Sequence, residues 1–358
     1  MTLTINTNIS SIIAQRNFGA ATKSLNQSIE RMSTGYKINH ARDNAAGLSI
    51  SDMWQTQISS LDIAAANAST GNDLLTTAEQ TFGLLTNHLQ RIRDLTEQAA
   101  NGTYGSASLR AIQSEIYARL QEIDRISANS EFNGIKLMKY IDDPAKADAN
   151  KGRGMTERGL DLQVGLYSEA ESVINLDISL FKSAAISSLF RSGTTKVYEK
   201  DEKGDITTKD YDLDSALTAA GGSIASLNTH DGLRAFAAAC ANLHYDKDKE
   251  TYNLLSDEAA KQGVDIYGAS AMIGFIDSAI DEIASRVTTI GAAQNRVESA
   301  LSGISVQSQN LVSSLSTLRD TDIAEESSNY IQAQILQQAS ATLLATANQT
   351  PSIALNLI

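Results

Sequence analysis

The stretch that decides the fold is residues 273–318, IGFIDSAIDEIASRVTTIGAAQNRVESALSGISVQSQNLVSSLSTL. Alternating steps of three and four residues through it meet fourteen positions, twelve of them apolar. The positions are Ile273, Ile276, Ile280, Ile283, Val287, Ile290, Gln294, Val297, Leu301, Ile304, Ser308, Leu311, Leu315 and Leu318. This spacing predicts a coiled-coil seam about 70 Å long, at ~1.5 Å per residue. Gln294 and Ser308 are expected inside the seam, where polar residues usually fix register at some cost in stability.

The N-terminal part of the chain contains helical stripes that can pack against this seam. One keeps the same rhythm through Trp54, Ile58, Leu61, Ala65, Ala68 and Leu75, and then through Ala78, Phe82, Leu85, Leu89 and Ile92. Another runs through Leu109, Ile112, Ile116, Leu120, Ile123 and Ile126. Both regions are incomplete alone, so we predict a mainly α fold, an antiparallel coiled-coil or helical-bundle rod formed by both chain termini.

The middle of the chain has a different pattern. Apolar and polar residues alternate over residues 160–164 and again over 173–180, which predicts a β-hairpin. Residues 182–270 mix short possible strands at 194–199 and 206–211 with a helix near 231–243. We expect a small α+β insert there.

Composition excludes several classes of function. The chain has 358 residues, and 29 Lys+Arg against 42 Asp+Glu give a net charge of −13. This acidic balance argues against nucleic-acid binding, which needs clustered cations. No apolar run reaches the ~18–20 residues of a membrane span, and no basic secretory signal begins the sequence, so any export from the cell is expected to use another route. A single Cys, Cys240, excludes an intrachain disulfide and is expected to be a small buried hydrophobe.

Both ends of the sequence lack charge. Residues 1–15 and 327–358 contain no Asp, Glu, Lys or Arg. A mild apolar stripe at a spacing of four residues follows Ile331, Ile335, Ala339, Leu343 and Ala347, and Ile9, Ile12 and Ile13 begin another. Helices of this kind are marginal alone in water, so we expect partners to bury them.

No constellation of residues supports catalysis. The four histidines are dispersed, and neither a metal-ligand cluster, a Walker loop nor a glycine fingerprint is present. Asp210, Asp212 and Asp214 resemble the start of a calcium loop, but Ser215 and Gly221 stand where Gly and a bidentate Glu are required. We therefore predict no enzyme activity, no metal and no cofactor.

Ten short segments resemble bacterial flagellin, in the family's order. They are INTNI (5–9), AQRN (14–17), STG (33–35), AAGLSI (45–50), LQRIRDL (89–95), EIDRI (122–126), FNG (132–134), GAAQNR (291–296), AQILQQA (333–339) and ANQ (347–349). The resemblance implies a subunit that self-assembles into the extracellular flagellar filament after export, unfolded, by the flagellar type III system. Its implied partners are further copies of itself, an export chaperone, and cap and hook-junction proteins.

The resemblance also implies a division into three parts. Residues 1–45 and 315–358 would form the inner assembly domain, residues 46–181 and 271–314 the rod with its hairpin, and residues 182–270 a variable insert facing solvent. The expected polymerisation seam consists of Ile9, Ile13, Phe18, Leu25, Met32, Ile331, Ile335 and Leu343. Arg91, Leu95 and Glu115 match a rod patch that a vertebrate Toll-like receptor recognises in flagellins, and they are also expected in subunit contacts.

Three alternatives remain open at this point. A hook–filament junction protein shares its terminal helices with flagellin, although the glutamine-rich residues 331–339 favour the filament protein. The insert could instead carry an enzyme, or it could be an adhesive or carbohydrate-binding module, for which five tyrosines are weak support.

Overall fold

A computed structural model of the chain describes residues 8–138, 155–156, 159–166, 172–190, 194–200, 206–220, 222–223, 226–227, 229–246, 251–254 and 268–355. Long helices dominate these residues. The helices are α1 (Ile9–Thr34), α2 (Ala45–Ala100), α3 (Ser106–Asn129), α4 (Ile186–Leu189), α5 (Leu213–Ala219), α6 (His230–Cys240), α7 (Gly268–Arg319) and α8 (Ile323–Leu355). None of the helices in this described part is long and apolar enough to cross a bilayer.

The strands are short and pair antiparallel. They are β1 (Glu131–Phe132), β2 (Ile135–Lys136), β3 (Met155–Thr156), β4 (Gly159–Gln163), β5 (Val173–Asp177), β6 (Thr194–Lys200), β7 (Ile206–Asp212), β8 (Leu243–Asp246) and β9 (Thr251–Leu254). Three two-stranded sheets, β1–β2, β6–β7 and β8–β9, accompany one three-stranded sheet in the order β3–β4–β5.

The chain divides into two compact units. The terminal unit comprises Met1–Ile63 and Gly303–Ile358, and the central unit comprises Ala64–Ser302. The insert therefore belongs to the central unit. The three-part division expected from the sequence stays a prediction.

The terminal unit is built on α1 and α8. The Asn8 side chain caps α1 by accepting from the Ser11 N–H at 3.1 Å. Gly35 ends the helix with a φ of 76°, a left-handed conformation that glycine adopts without steric cost, and its N–H bonds the Arg31 carbonyl.

In the central unit, α2 lies antiparallel to both α3 and α7. For α7, two contacts show this, because the later residue of α2 meets the earlier residue of α7. Arg93 pairs with Asp277 at 2.6 Å, and Gln294 donates to Glu79 at 2.9 Å. The Arg91–Glu115 pair joins α2 to α3, and the Thr81 hydroxyl lies 3.3 Å from that of Ser130 just beyond the end of α3, so these helices also run antiparallel.

The predicted helical stripes are confirmed. None of the fourteen seam positions of α7 is exposed, and Gln294 and Ser308 are half-buried among them. Most apolar stripe positions of α2 and α3 are buried as well, with Phe82, Leu89 and Ile116 completely enclosed. Trp54, Ala65 and Ile126 are half-buried.

The predicted hairpin is confirmed as β4 and β5, in which Leu162 faces Ile174 across the pair. The second strand is shorter than predicted, because it ends at Asp177 and Ile178–Phe181 form a 3-10 helix. Leu162 also explains a glycine in the middle of α2. A Cβ on Gly71 would clash with the Leu162 Cδ1, so a larger residue there would force the Leu162 side chain to shift. Asn67 reinforces the contact by donating to the Gln163 carbonyl at 3.2 Å.

The insert contains the predicted strands, which form β6 and β7. The predicted helix is α6, which begins one residue earlier than expected and ends at Cys240. Asn242, with a φ of 57°, leads into β8 instead. The insert was expected to face solvent, but its helix α6 packs on α3. The Tyr117 hydroxyl of α3 lies 2.7 Å from the His230 Nδ1 of α6.

Candidate functional site

The paired terminal helices α1 and α8 form the main candidate surface. They run antiparallel, with three contacts spread along their length. The Asn8 amide donates to the Ala347 carbonyl at 2.6 Å, Gln337 donates to the Thr22 hydroxyl at 3.0 Å, and Arg31 pairs with Glu326 at 3.6 Å.

Small and polar residues, not the isoleucines, line the buried interface of this pair. On α1 the buried positions are Ala14, Ala21 and Ser28, and on α8 they are Glu326, Ala333 and Ser340. Each set is spaced by seven residues, or two helical turns. Small side chains at these positions allow the two backbones to approach closely. These six residues are not among those predicted from the sequence, although their regular spacing of seven could have identified them.

One flank of the pair is an open groove of about 710 Å³. Its floor is the small-residue seam, and its walls are exposed positions of both helices. The wall residues include Asn17, Ala20 and Ser24 from α1, and Leu336, Ala339 and Leu343 from α8. Arg31 and Glu326 are the charged residues among the lining, and they pair with each other.

The predicted apolar stripe of α8 is not a single face, which corrects the sequence interpretation. Each step of four residues turns a helix by 400°, so a spacing of four drifts 40° per step and winds around the helix. The result is that Ile331, Ile335 and Leu343 are 53%, 59% and 63% exposed, while Ala347 is half-buried beside α1.

The predicted seam residues of α1 divide into two groups. Ile9 and Ile13 are 62% and 50% exposed, and Met32 is 36% exposed. Phe18 and Leu25 are half-buried on the flank of α1 that carries Thr22, where the hydrogen bond from Gln337 bridges the helices. Phe18 and Leu25 therefore pack within the chain on one flank of the helix pair, while Ile9, Ile13 and Met32 remain exposed.

A surface on the central unit contains the other predicted site. The Arg91 Nε lies 3.0 Å from the Glu115 Oε1, and Arg119 reaches the same carboxylate at 3.2 Å. Hydrogen bonding from Arg91, followed by that from Arg119, lowers the pKa of Glu115 and keeps it ionised. Partial burial, with the nearby Arg119 charge, lowers the pKa of His88.

Leu95 does not share this surface. Its side chain is only 2% exposed, whereas Arg91 is exposed one turn earlier. Residues four apart are offset by 40°, which suffices here to carry Leu95 into the core. The structure brings Arg91 and Glu115 together and places Leu95 beneath the surface.

Comparison with known proteins gives the family. Residues 5–142 match the bacterial flagellin N-terminal helical region, and residues 273–358 match the bacterial flagellin C-terminal helical region. Polar flagellin F of Vibrio parahaemolyticus serotype O3:K6 (strain RIMD 2210633) is 33% identical over 388 residues, with 100% of both chains covered. This chain belongs to the bacterial flagellin family.

A second flagellin relative agrees with this assignment. Flagellin B of Vibrio cholerae serotype O1 (strain ATCC 39541 / Classical Ogawa 395 / O395) is 33% identical over 384 residues and is also covered completely by this chain. Among solved structures, FliC from Burkholderia pseudomallei is similar with a TM-score of 0.34 and 20% identity, over 63% of this chain and 99% of that one. Flagellins are structural proteins and not enzymes.

The structure also places the cysteine of this flagellin and the acidic residues that resemble the start of a calcium loop. Burial raises the pKa of the Cys240 thiol to about 12, and hydrogen bonding with Thr96 offsets only part of this, so the thiol is no nucleophile at neutral pH. Asp212 precedes α5 and Asp214 lies in its first turn, so these calcium-loop candidates lead into a helix. Within the described residues, no group of three potential metal ligands comes together.

Proposed function

We propose that this chain polymerises with copies of itself, through its terminal unit, into the filament of the bacterial flagellum. The exposure of large apolar side chains on helices with little or no charge carries the proposal. Ile9, Ile13, Ile331, Ile335 and Leu343 are each at least 50% exposed. Burying such side chains against a neighbour is favourable by roughly 25 cal/mol per Å² of apolar surface.

A truncation tests the proposal. Removing residues 328–358 takes away most of α8, including Ile331, Ile335 and Leu343. The truncated protein should remain soluble and strongly helical by circular dichroism, because the core of the central unit is untouched. It should form no filaments by negative-stain electron microscopy after seeding, whereas the full chain should form filaments of uniform width. Normal filaments from the truncated chain would contradict the proposal.

We also propose that the chain is exported unfolded by the flagellar type III system, with an export chaperone and with cap and hook-junction proteins as partners outside the polymer. A chain with a single Cys has no intrachain disulfide to block threading through a narrow channel. Secretion into the medium should require an intact flagellar export apparatus. Equal secretion by cells that lack it would refute this route.

For recognition by the vertebrate Toll-like receptor for flagellin, we propose Arg91 and Glu115 as the contact residues. Both are accessible, with 47% and 38% of their side-chain surface exposed. Leu95 would act by supporting the helix from beneath. In a receptor reporter assay, Arg91→Ala should weaken the response of folded monomer at least tenfold. The matched variant Arg125→Ala, which removes a pair with Glu122 on the same helix as Glu115, should leave the response unchanged.

A further inference from the structure

The two flanks of the α1–α8 pair are filled differently. On one flank lies the groove described above, with Ala20 and Ala339 exposed in its walls. Because these side chains are short, the space between the two helices stays open. Leu336 and Leu343 border the groove and leave apolar surface facing it.

The opposite flank is filled by large side chains. At 3.6 residues per turn, Phe18, Leu25 and Ile29 lie on the other side of the buried line Ala14–Ala21–Ser28 from the groove. None of the three lines the groove. Phe18 and Leu25 are half-buried there, and Ile29 projects with 47% of its surface exposed. We call these three residues the ridge.

The ridge and the groove are compatible in charge, and the groove is lined by Asn, Gln and Ser side chains as well as by Ala and Leu. All three ridge side chains are uncharged and apolar. Among the groove residues only Arg31 and Glu326 are charged, and because they neutralise each other at one end, no unpaired charge opposes an apolar occupant. A surface that differs from its complement on the same molecule makes heterologous contacts, which extend into a helical filament when the rotation between copies does not close a ring.

From this arrangement we infer that the ridge of one copy seats in the groove of the next copy, with Ile29 inserted between Leu336 and the small residues of α1. This inference rests on the proposed self-assembly and specifies which surfaces meet. It accounts for an open flank beside Ala20, Ser24 and Ala339 and a filled flank beside Phe18 and Leu25, an asymmetry that an intrachain helix pair does not need.

Disulfide cross-linking between copies tests the contact. Ile29→Cys places a thiol on the ridge, and Asn17→Cys, Ser24→Cys or Ala339→Cys places one in the groove. Each single variant and each ridge–groove double variant is polymerised under reducing conditions and then oxidised. The native Cys240 is buried, so wild-type filaments serve as the blank.

At least one double variant should give a ladder of covalent dimers, trimers and longer species on non-reducing gels. Single variants should stay monomeric, because a heterologous contact never brings a surface against its own copy. Dimers from a single variant would show a self-complementary contact and overturn the inference. Filaments without a ladder at any of the three groove positions would overturn it as well.

Filling the groove gives an independent measurement. Ala339→Phe occupies the groove from an exposed wall position, and Ala324→Phe adds the same bulk to an exposed position of α8 outside the groove. The concentration needed for seeded growth should rise at least tenfold for Ala339→Phe and less than twofold for Ala324→Phe. Equal behaviour of the two variants would overturn the inference.

Failure of this inference is distinguishable from failure of the proposed function. If wild-type monomer never polymerises, self-assembly itself is wrong. If wild type and every variant polymerise equally, self-assembly is supported and the proposed ridge–groove contact is wrong.

Discussion

The guanidinium of Arg319 lies over the ring of Tyr36, with its Cζ 4.3 Å from the ring centroid. Arg319 is the last residue of α7, and Tyr36 follows the end of α1. Two backbone hydrogen bonds join the same segments: the Lys37 N–H donates to the Arg319 carbonyl at 2.8 Å, and the Thr321 N–H donates to the Gly35 carbonyl at 2.9 Å. The connections that leave α1 and enter α8 are thus tied into one short antiparallel bridge, so they are expected to move together.

Removing the aromatic ring should loosen this bridge. Tyr36→Ala eliminates the cation–π contact, which contributes about 0.5–2 kcal/mol. Amide hydrogen exchange at Lys37 and Thr321 should therefore accelerate by roughly 2- to 30-fold, since 1.4 kcal/mol corresponds to a factor of ten. The matched variant Tyr36→Phe keeps the ring and should exchange like wild type. Equal acceleration in the Phe variant would assign the effect to the hydroxyl instead.

Leu95 should behave as a core residue. Leu95→Ala leaves a cavity in the central unit and should lower its free energy of unfolding by about 2–5 kcal/mol. Arg91→Ala removes a solvent-exposed ion pair and should cost less than about 1 kcal/mol. Urea denaturation followed by circular dichroism compares the two. A small loss for Leu95→Ala would show that the side chain is not part of the core.

These contrasts show what the sequence could and could not predict. The seam of α7 was predictable because a rhythm of three and four residues keeps every apolar side chain on one face for many turns. The stripe of α8 has a constant spacing of four and turns gradually around the helix, so the pattern alone did not show which of its residues would meet α1 and which would stay exposed. Leu95 was expected at the receptor patch from the resemblance, and the core that encloses it could not be seen in the sequence.

The groove between α1 and α8 could be recognised only in the structure. Large apolar residues give the strongest periodic signal in a sequence. The interface between α1 and α8 is made of Ala14, Ala21, Ala333 and polar residues, which give little such signal. The docking of α6 on α3 was equally hidden, because it depends on a contact between residues more than 100 positions apart, Tyr117 and His230. Non-local contacts of this kind leave no periodic signal in the sequence.

The thiol of Cys240 should report whether α6 stays docked. With a pKa of about 12, only roughly 1 in 10,000 thiols is ionised at pH 8. Native protein should therefore react with an aromatic disulfide reagent at least a hundredfold more slowly than protein unfolded in urea. Thr96→Val removes a hydrogen-bonding partner while keeping the shape, and it should slow the reaction further or leave it unchanged. Rapid labelling of the native protein would show that α6 opens readily.

Asp124 should make the stability of the central unit depend on pH. Its carboxylate accepts a hydrogen bond from the Ile186 N–H at 2.8 Å, where the chain enters the insert. Burial raises the pKa of Asp124, and the bond to Ile186 offsets this only in part. A carboxyl whose pKa is higher in the folded state stabilises the fold below its unfolded pKa, and that contribution is lost as pH rises through the folded pKa.

At pH 7 the ionised Asp124 therefore costs stability, and Asp124→Asn should remove this cost while keeping an oxygen to accept from Ile186. The variant should be more stable than wild type at pH 7 in urea denaturation, and its advantage should disappear as the pH is lowered toward 3. Asp124→Ala is the matched control. It leaves the Ile186 N–H without its acceptor and should cost about 1–3 kcal/mol. If the Asn variant were as unstable as the Ala variant at pH 7, the negative charge itself would be required to hold the start of the insert.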